Sequence, residues 1–209
     1  MKNIYCTLFL ALSIFSCNYQ KTKTVAQEYN ASYYYNAGVT CDYNEDYKGA
    51  LDNYNKAITL DSTKSHYYLN RGVAIERVYK DMNKALEDYR KAIQLDAHNA
   101  IAYFNMGCVY SNQENDKDAS EFFRICIAID PSYYPAYYNC AYSLYQIKDY
   151  DEALKNFEKS THYDEGSKFY AYYYMGMIYK EKRDMIKAKS YFEKAAALGN
   201  SDAKKELIK

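Results

Sequence analysis

Seven side chains of high chemical reactivity follow residue 30, namely four cysteines and three histidines. Thiolates and imidazoles act as nucleophiles, general bases or zinc ligands where several of them converge. No C-x-x-C pair occurs and no histidine lies at ligand spacing from a cysteine, so the spacing argues against a zinc site. The seven residues are Cys41, Cys108, Cys126, Cys140, His66, His98 and His162.

Sequence motifs of the common enzyme classes are also missing. The chain contains no G-x-x-x-x-G-K-[ST], no H-E-x-x-H and no G-x-S-x-G. The paired acids Asp151 and Glu152 fall in a polar stretch and are interpreted as solvated surface. We therefore expect a non-enzymatic protein that uses no cofactor and no metal.

Charge and aromatic content narrow the choice of partner. The 27 basic residues balance the 27 acidic residues, which argues against a nucleic-acid partner, because phosphate contacts require a basic patch. Tyrosine is in excess, with 29 residues against 8 phenylalanines and no tryptophan. Two interpretations remain open: a compositional bias of the genome, or a partly functional surface, since tyrosine suits wet interfaces.

Residues 100–133 contain two amphipathic helical patterns joined by a polar turn. Small and apolar residues recur at steps of three and four, which places them on one face of each helix. The second pattern stops at Asp130-Pro131, where proline cannot continue a helix. The recurring positions are Ala102, Tyr103, Met106, Gly107 and Tyr110 in the first helix and Ala119, Phe122, Phe123, Cys126 and Ile127 in the second.

The rest of the chain after residue 30 repeats this 34-residue unit. Each first helix carries a small residue at one fixed position: Gly38, Gly72, Gly107, Ala141 and Gly176. Glycine costs about 1 kcal/mol in a helix interior relative to alanine, so its recurrence predicts a close helix–helix approach. Each second helix repeats a small–aromatic–small pattern. The units are 31–64, 65–99, 100–133, 134–168 and 169–202.

The period, the small residue and the Asp-Pro ending resemble the tetratricopeptide repeat. The proline of Asp130-Pro131 is replaced in the other units by Ser62, Ala97, Glu165 and Asn200. The resemblance implies an all-α fold, a right-handed α-solenoid of five helix-turn-helix units. A short amphipathic helix that follows Gly199 and ends within 203–209 is expected to cap the last unit.

The first 17 residues, MKNIYCTLFLALSIFSC, predict a targeting segment. Lys2 precedes a 12-residue mostly apolar stretch that is too short to span a bilayer, which takes about 20 residues. Ile14-Phe15-Ser16-Cys17 resembles the lipobox of bacterial lipoproteins. That resemblance implies a signal peptide at 1–16, lipidation of Cys17, a tether over 17–30 and a place in the cell envelope, as an outer-membrane lipoprotein. Ordinary secretion, with cleavage after Ser13, is the alternative.

In tetratricopeptide arrays the first helices line a concave groove, and the corresponding residues here are uncharged. The family's carboxylate clamp needs Lys or Arg in the groove and is therefore not expected. Asparagines recur at one fixed position in the first four units, and an amide can pair with both sides of a peptide bond. The alternative is that these asparagines are a general family feature and that the neighbouring aromatic position is partly core. The expected groove residues are Tyr35, Asn36, Leu69, Asn70, Phe104, Asn105, Tyr138, Asn139, Tyr142 and Tyr173.

Two functions of different classes follow from this groove. The first is a protein-interaction scaffold that holds a neutral peptide segment or a partner protein at the membrane, resembling the envelope-assembly lipoproteins of bacteria. The second is a glycan-binding protein, because stacked tyrosines and amides also suit sugar rings. Two interpretations are also open for Cys126 and Cys140, which the repeat packing brings near each other: a disulfide in an oxidising periplasm, or small buried hydrophobic side chains.

Overall fold

The computed structural model describes residues 29–162 and 165–208, and of residues 165–167 only the backbone. Over these ranges the chain forms eleven α-helices and no strand. The helices are α1 (Ala31–Tyr43), α2 (Tyr47–Leu60), α3 (Ser65–Tyr79), α4 (Met82–Leu95), α5 (Ala100–Asn112), α6 (Asp116–Ile129), α7 (Pro135–Gln146), α8 (Tyr150–Ser160), α9 (Glu165–Glu181), α10 (Met185–Ala197) and α11 (Ser201–Ile208).

Successive helices pack in pairs, and the pairs stack in chain order. Each odd-numbered helix from α1 to α9 packs on the helix that follows it, each pair then packs on the next, and α11 covers α10. The predicted all-α solenoid of five helix-turn-helix units with a capping helix is confirmed. One boundary differs: α9 begins at Glu165, four residues before 169, so the fifth unit opens with an extra helical turn.

The predicted lipidation site Cys17, the signal peptide 1–16 and all but the last two residues of the tether 17–30 lie outside the described residues. Within the described part of the chain, no helix is both long and apolar enough to cross a membrane.

Side-chain N-caps mark the start of the second helix in four of the five units. Asp46, Asp81 and Asp184 each accept a hydrogen bond from the backbone N–H three residues ahead, at 3.0–3.1 Å. Asn115 plays the same part before α6. Such a cap satisfies one of the four N–H groups that a helix start leaves without a partner, and typically stabilises the helix by about 1 kcal/mol.

A left-handed residue turns the chain between the two helices of every unit. The backbone φ angles at these five positions lie between 53° and 63°. This conformation favours glycine and is disfavoured for residues that carry a Cβ. All five positions nevertheless hold charged residues, namely Glu45, Lys80, Glu114, Lys148 and Arg183.

The recurring glycines are explained by an aromatic ring of the second helix that lies directly against them. A Cβ built on Gly107 would lie 2.6 Å from Cε1 of Phe123, whose side chain is fully buried. Gly38 faces Tyr54 at 2.5 Å in the same way. Ordinary carbon contacts are about 3.5–4.0 Å, so only a missing side chain permits this approach. The close helix–helix approach predicted from the sequence is therefore observed.

In the first two units the aromatic residue is a tyrosine with an acidic acceptor. The hydroxyl of Tyr89 donates a hydrogen bond to Oε1 of Glu76 at 2.6 Å, and Tyr54 donates to Asp42. Both acids lie one helical turn after the glycine. In the other three units phenylalanine stands in the aromatic position, and the place of the acid is taken by Ser111, Tyr145 and Lys180.

Candidate binding surface

The first helices of the five units expose an uncharged row of side chains. The second residue of every repeat unit is exposed, and these residues are Ser32, His66, Ile101, Pro135 and Tyr170. Of the ten predicted groove residues, nine are at least partly exposed. Leu69 is the exception: it is 7% exposed and lies in the core, so its side chain contributes packing rather than open surface.

The four asparagines of the row are not equivalent. Nδ2 of Asn70 donates to the hydroxyl of Tyr35 in the preceding unit at 3.1 Å, and Nδ2 of Asn139 donates to the backbone oxygen of Pro135 at 2.8 Å. Among the described residues, the side chains of Asn36 and Asn105 make no hydrogen bond. Two amides are therefore already engaged, and two are open to a ligand.

The aromatic residues of the first three units are braced by their neighbours. The Tyr35 ring stacks on Tyr67 with centroids 5.0 Å apart and meets His66 edge-on at 4.7 Å. Phe104 packs edge-on against Tyr133 at 5.0 Å. Tyr35 and Phe104 are half-buried, so these ring contacts restrict their side chains while part of each ring stays exposed.

A denser aromatic cluster lies on the fourth and fifth units. Tyr142 meets Tyr174 edge-on at 5.2 Å, and Tyr173 meets Tyr174 edge-on at 5.4 Å. Tyr138 packs on the buried ring of Phe157 at 5.7 Å. Tyr174 occupies a position that the family resemblance places in the groove, and in the fifth unit it stands where the first four units carry asparagine. Its contacts with Tyr142 join two units and could not be read from either unit alone.

Burial within this cluster shifts the tyrosine pKa values. Loss of solvent, with Tyr142 and Tyr170 close by, raises the pKa of Tyr138 to about 12. Burial, followed by the proximity of Tyr138 and Tyr142, also raises the pKa of Tyr174. The hydroxyls of Tyr138 and Tyr174 therefore stay protonated at neutral pH and can donate hydrogen bonds.

The cysteines of the described residues are free thiols. Cys126 and Cys140 are fully buried and lie in separate core clusters. Burial raises the pKa of each of these two thiols, and of Cys108, to about 12. Such thiols are protonated at neutral pH and are poor nucleophiles. The part of the chain that the structure describes also holds no group of three or more potential metal ligands.

Comparison with solved structures places this architecture among tetratricopeptide proteins. A crystal structure of MamA is 26% identical, with a TM-score of 0.69 over 80% of this chain and 96% of that one. The structure of YrrB, described as a TPR protein with an unusual peptide-binding site, is 26% identical, with a TM-score of 0.71 over 85% of this chain and 91% of that one. PilF of Pseudomonas aeruginosa shares the fold. It is 20% identical, with a TM-score of 0.68 over 82% of this chain and 77% of that one.

The sequence itself carries the family signature over most of its length. A search of curated proteins finds no match. The family profile described as Tetratricopeptide repeat matches residues 31–64, 100–133, 134–166 and 169–200, and a second profile, described as TPR repeat, matches 80–114. Each of the four segments of the first profile covers a helix pair, whereas residues 80–114 span the second helix of the second unit and the first helix of the third. The chain therefore belongs to the tetratricopeptide repeat family.

Proposed function

We propose that this protein is a non-enzymatic scaffold whose concave surface binds a neutral, extended segment of a partner protein. The observation that carries the proposal is the uncharged row of first-helix side chains, which continues through all five units. A ligand lying along such a row exchanges water for aromatic faces and amide groups, and needs no charge of its own. Protein interaction is also the typical role of the fold.

The centre of the row offers both an amide that can pair with a peptide group and aromatic rings that can pack against the ligand. The amide of Asn105 is half-buried and makes no hydrogen bond among the described residues, so it can pair with a peptide group of the ligand. Phe104 lies next to it, and Tyr138 and Tyr142 follow on the next unit. The contacts of Phe104 and Tyr138 with the buried rings of Phe123 and Phe157 fix their orientation before the ligand arrives, which lowers the entropic cost of binding.

The structural relatives support a peptide ligand rather than a reaction. YrrB is described as having a peptide-binding site, and it aligns with 85% of this chain. We extend that role to this protein as part of the proposal. The lipobox-like residues before Cys17 add a membrane anchor at the N-terminal end of the array, so the scaffold would present its groove at the cell envelope.

Site-specific photocrosslinking tests the proposed surface directly. A photoreactive benzoylphenylalanine replaces Ile101 on α5 or Ile125 on α6 in two variants of the full chain, expressed in the source cells. The two isoleucines belong to the same unit and are 45% and 39% exposed, but they lie on its first and second helix. Adducts with a protein at 101 and none at 125 are expected. Adducts at 125 alone would place the interaction on the convex side.

The crosslinked segment then serves as the ligand in a titration. Asn105→Ala should weaken binding by about 0.5–1.5 kcal/mol, the net value of one hydrogen bond. Asn83→Ala is the matched control, because Asn83 is an exposed amide on a second helix, and it should leave the affinity unchanged. Because no fixed charge lines the row, affinity should change little between low and physiological salt. A steep salt dependence would contradict the proposal. So would a groove that takes a neutral oligosaccharide and no peptide, the outcome expected of a glycan-binding protein.

A further inference from the structure

We infer that the N-terminal corner of the array docks onto the surface of a lipid bilayer. The inference rests on the membrane anchor of the proposed function and adds a second, non-covalent contact between the protein and the membrane. The corner lies where α1 begins and α2 ends. Its members are Tyr29, Tyr33, Tyr34, Lys56 and Leu60.

Three tyrosines at the start of α1 form a cluster of rings. The rings of Tyr29 and Tyr33 stack with centroids 3.8 Å apart, and Tyr34 meets both edge-on, at 6.1 and 5.5 Å. The contact between Tyr29 and Tyr34, on either side of the N-cap Asn30, is a hydrophobic staple that fixes how the chain enters the helix. Tyr33 takes no part in the staple, and it is 47% exposed. The helix start therefore does not account for the ring of Tyr33.

The repeat buries the position of Tyr33 in every later unit. The equivalent residues are 0–4% exposed, and they are Tyr67, Ala102, Ala136 and Ala171. The three alanines lie in core clusters together with the second helix of the preceding unit. Among the described residues, no helix precedes α1. Tyr33 therefore presents to its surroundings a face that the array covers with protein everywhere else.

The proposed anchor brings this corner, rather than another exposed surface, to a membrane. Residues 18–28 separate Tyr29 from Cys17, and a chain of this length spans at most about 43 Å when fully extended. Ile186 and Ile208 are also exposed, at 86% and 87%, but they lie at the opposite end of the array. The short tether makes docking of the corner intramolecular, so weak contacts suffice to hold it on the bilayer.

The side chains of the corner suit the boundary between lipid headgroups and acyl chains. Tyrosine rings favour this depth, since they combine an apolar body with a polar tip. Leu60 is 56% exposed and adds apolar surface, and it lines one shallow cavity with Tyr34 and Lys56. Nζ of Lys56 lies 5.5 Å from the centre of the Tyr34 ring, and the side chain is exposed. Its ammonium can therefore reach headgroup phosphates while its methylene chain stays against the apolar surface.

The charges of the first unit and the tether have the polarity that suits an anionic bilayer. Residues 18–34 and 56–64 lead to the corner and flank it, and their charged side chains are Lys21, Lys23, Lys56 and Lys64 against Glu28 and Asp61. Residues 40–49, at the turn between α1 and α2, carry Asp42, Glu45 and Asp46 against Lys48. The 13 residues of α1 separate the two regions by about 20 Å. Anionic headgroups therefore attract the corner and repel the turn.

Single tryptophans test the contact, because the natural chain contains none. Tyr33→Trp places the reporter in the corner. Tyr43→Trp, at the far end of α1, and Ile186→Trp, at the other end of the array, are the controls, since these residues are 89% and 86% exposed. Each lipidated full chain is reconstituted into vesicles of phosphatidylethanolamine and phosphatidylglycerol, with or without bromine on the acyl chains near the headgroups. Bromine should quench the emission of Tyr33→Trp, which should also shift to shorter wavelength, and should leave both controls unchanged.

A second substitution tests whether the apolar surface of the corner holds it on the bilayer. Leu60→Ser, added to Tyr33→Trp, should lower the ratio of docked to undocked chains by about tenfold, because the leucine no longer leaves water on docking. Val39→Ser is the matched control, because Val39 is 40% exposed on α1 but lies outside the corner. It should leave the quenching unchanged, and equal quenching in the Leu60→Ser chain would contradict the inference.

Flotation of the vesicles separates this inference from the proposed anchor. If the chain does not float with the vesicles, the anchor and the inference both fail. If it floats but bromine does not quench Tyr33→Trp, the inference fails while the anchor stands. A shift to shorter wavelength without quenching would place a second copy, another protein or another segment of this chain on the corner, and equal quenching of all three reporters would show an array without a preferred face. Either result overturns the inference, whereas crosslinking at position 101 tests the scaffold function independently.

Discussion

Enlarging Gly107 should destabilise the centre of the array. Any side chain there starts with a Cβ that would lie 2.6, 2.7 and 3.0 Å from three carbons of the Phe123 ring. Because carbon contacts are normally about 3.5–4.0 Å, the ring must move by about 1 Å. The Phe123 side chain is fully buried in a close-packed cluster, so neighbouring side chains must move with it.

The loss of stability on substituting Gly107 depends on two opposing contributions. Overpacking a core typically costs about 1–3 kcal/mol, whereas replacing glycine in a helix returns up to about 1 kcal/mol in backbone entropy. Gly107→Ala should therefore lower the free energy of unfolding by about 0–2 kcal/mol. Gly107→Leu adds three further carbons to the same contact and should cost about 2 kcal/mol or more. For a chain of this size, that corresponds to a fall in melting temperature of roughly 4–8 °C.

Thermal and urea unfolding followed by circular dichroism measure the effect. Ala128→Leu, at an exposed position of α6 in the same unit, is the matched control and should leave the melting temperature nearly unchanged. Phe123→Leu shortens the opposing side chain, so the pair Gly107→Ala and Phe123→Leu should show favourable coupling in a double-mutant cycle. A melting temperature that stays constant or rises in Gly107→Leu, or the absence of coupling in the cycle, would refute the packing argument.

Four further results are expected. Lys148→Gly should stabilise the protein by up to about 1 kcal/mol in urea unfolding, because its φ of 63° favours glycine. Arg71→Met should lower the free energy of unfolding by about 3–5 kcal/mol in the same assay. The arginine binds both carboxylate oxygens of Asp88 at 2.7 Å, and Asp88, which is 5% exposed, would lose this partner. Adding Asp88→Leu to Arg71→Met should recover most of the lost stability. A tyrosinate absorbance titration should show a component near pH 12 that disappears in Tyr138→Phe. The pKa of Tyr138 in the folded protein is raised above the unfolded value of about 10. The stability that this hydroxyl contributes is therefore present below pH 10 and is lost as the pH rises to 12. Labelled fatty acid should enter the protein and not its Cys17→Ala variant; equal labelling of both would contradict lipidation at Cys17.

The repeat architecture was predictable because each unit repeats the same packing constraint. In four of the five units a ring on the second helix packs where the first helix has no side chain, and this contact appears in the sequence as glycine at a fixed spacing, as at Gly107 opposite Phe123. The start of α9 was not predictable from that spacing. The period marks where helices touch their neighbours, and α9 begins a turn before that contact, at Glu165.

The composition of the groove was predictable, whereas its internal contacts were not. The absence of Lys, Arg, Asp and Glu from the groove row follows from residue identity alone. The engagement of Asn70 by Tyr35 of the preceding unit, and the burial of Leu69, depend on how successive units are rotated against each other. A sequence repeat assigns the same role to each asparagine, but the structure leaves the amides of Asn36 and Asn105 open and engages the others.

The abundance of tyrosine has at least one structural cause. Tyr54 and Tyr89 occur in the two units where an acid lies one turn after the glycine and accepts the hydroxyl hydrogen bond. Where that acid is missing, phenylalanine stands in the same place. Compositional bias alone does not produce such pairing, because Tyr and Phe would then be distributed without regard to the acid.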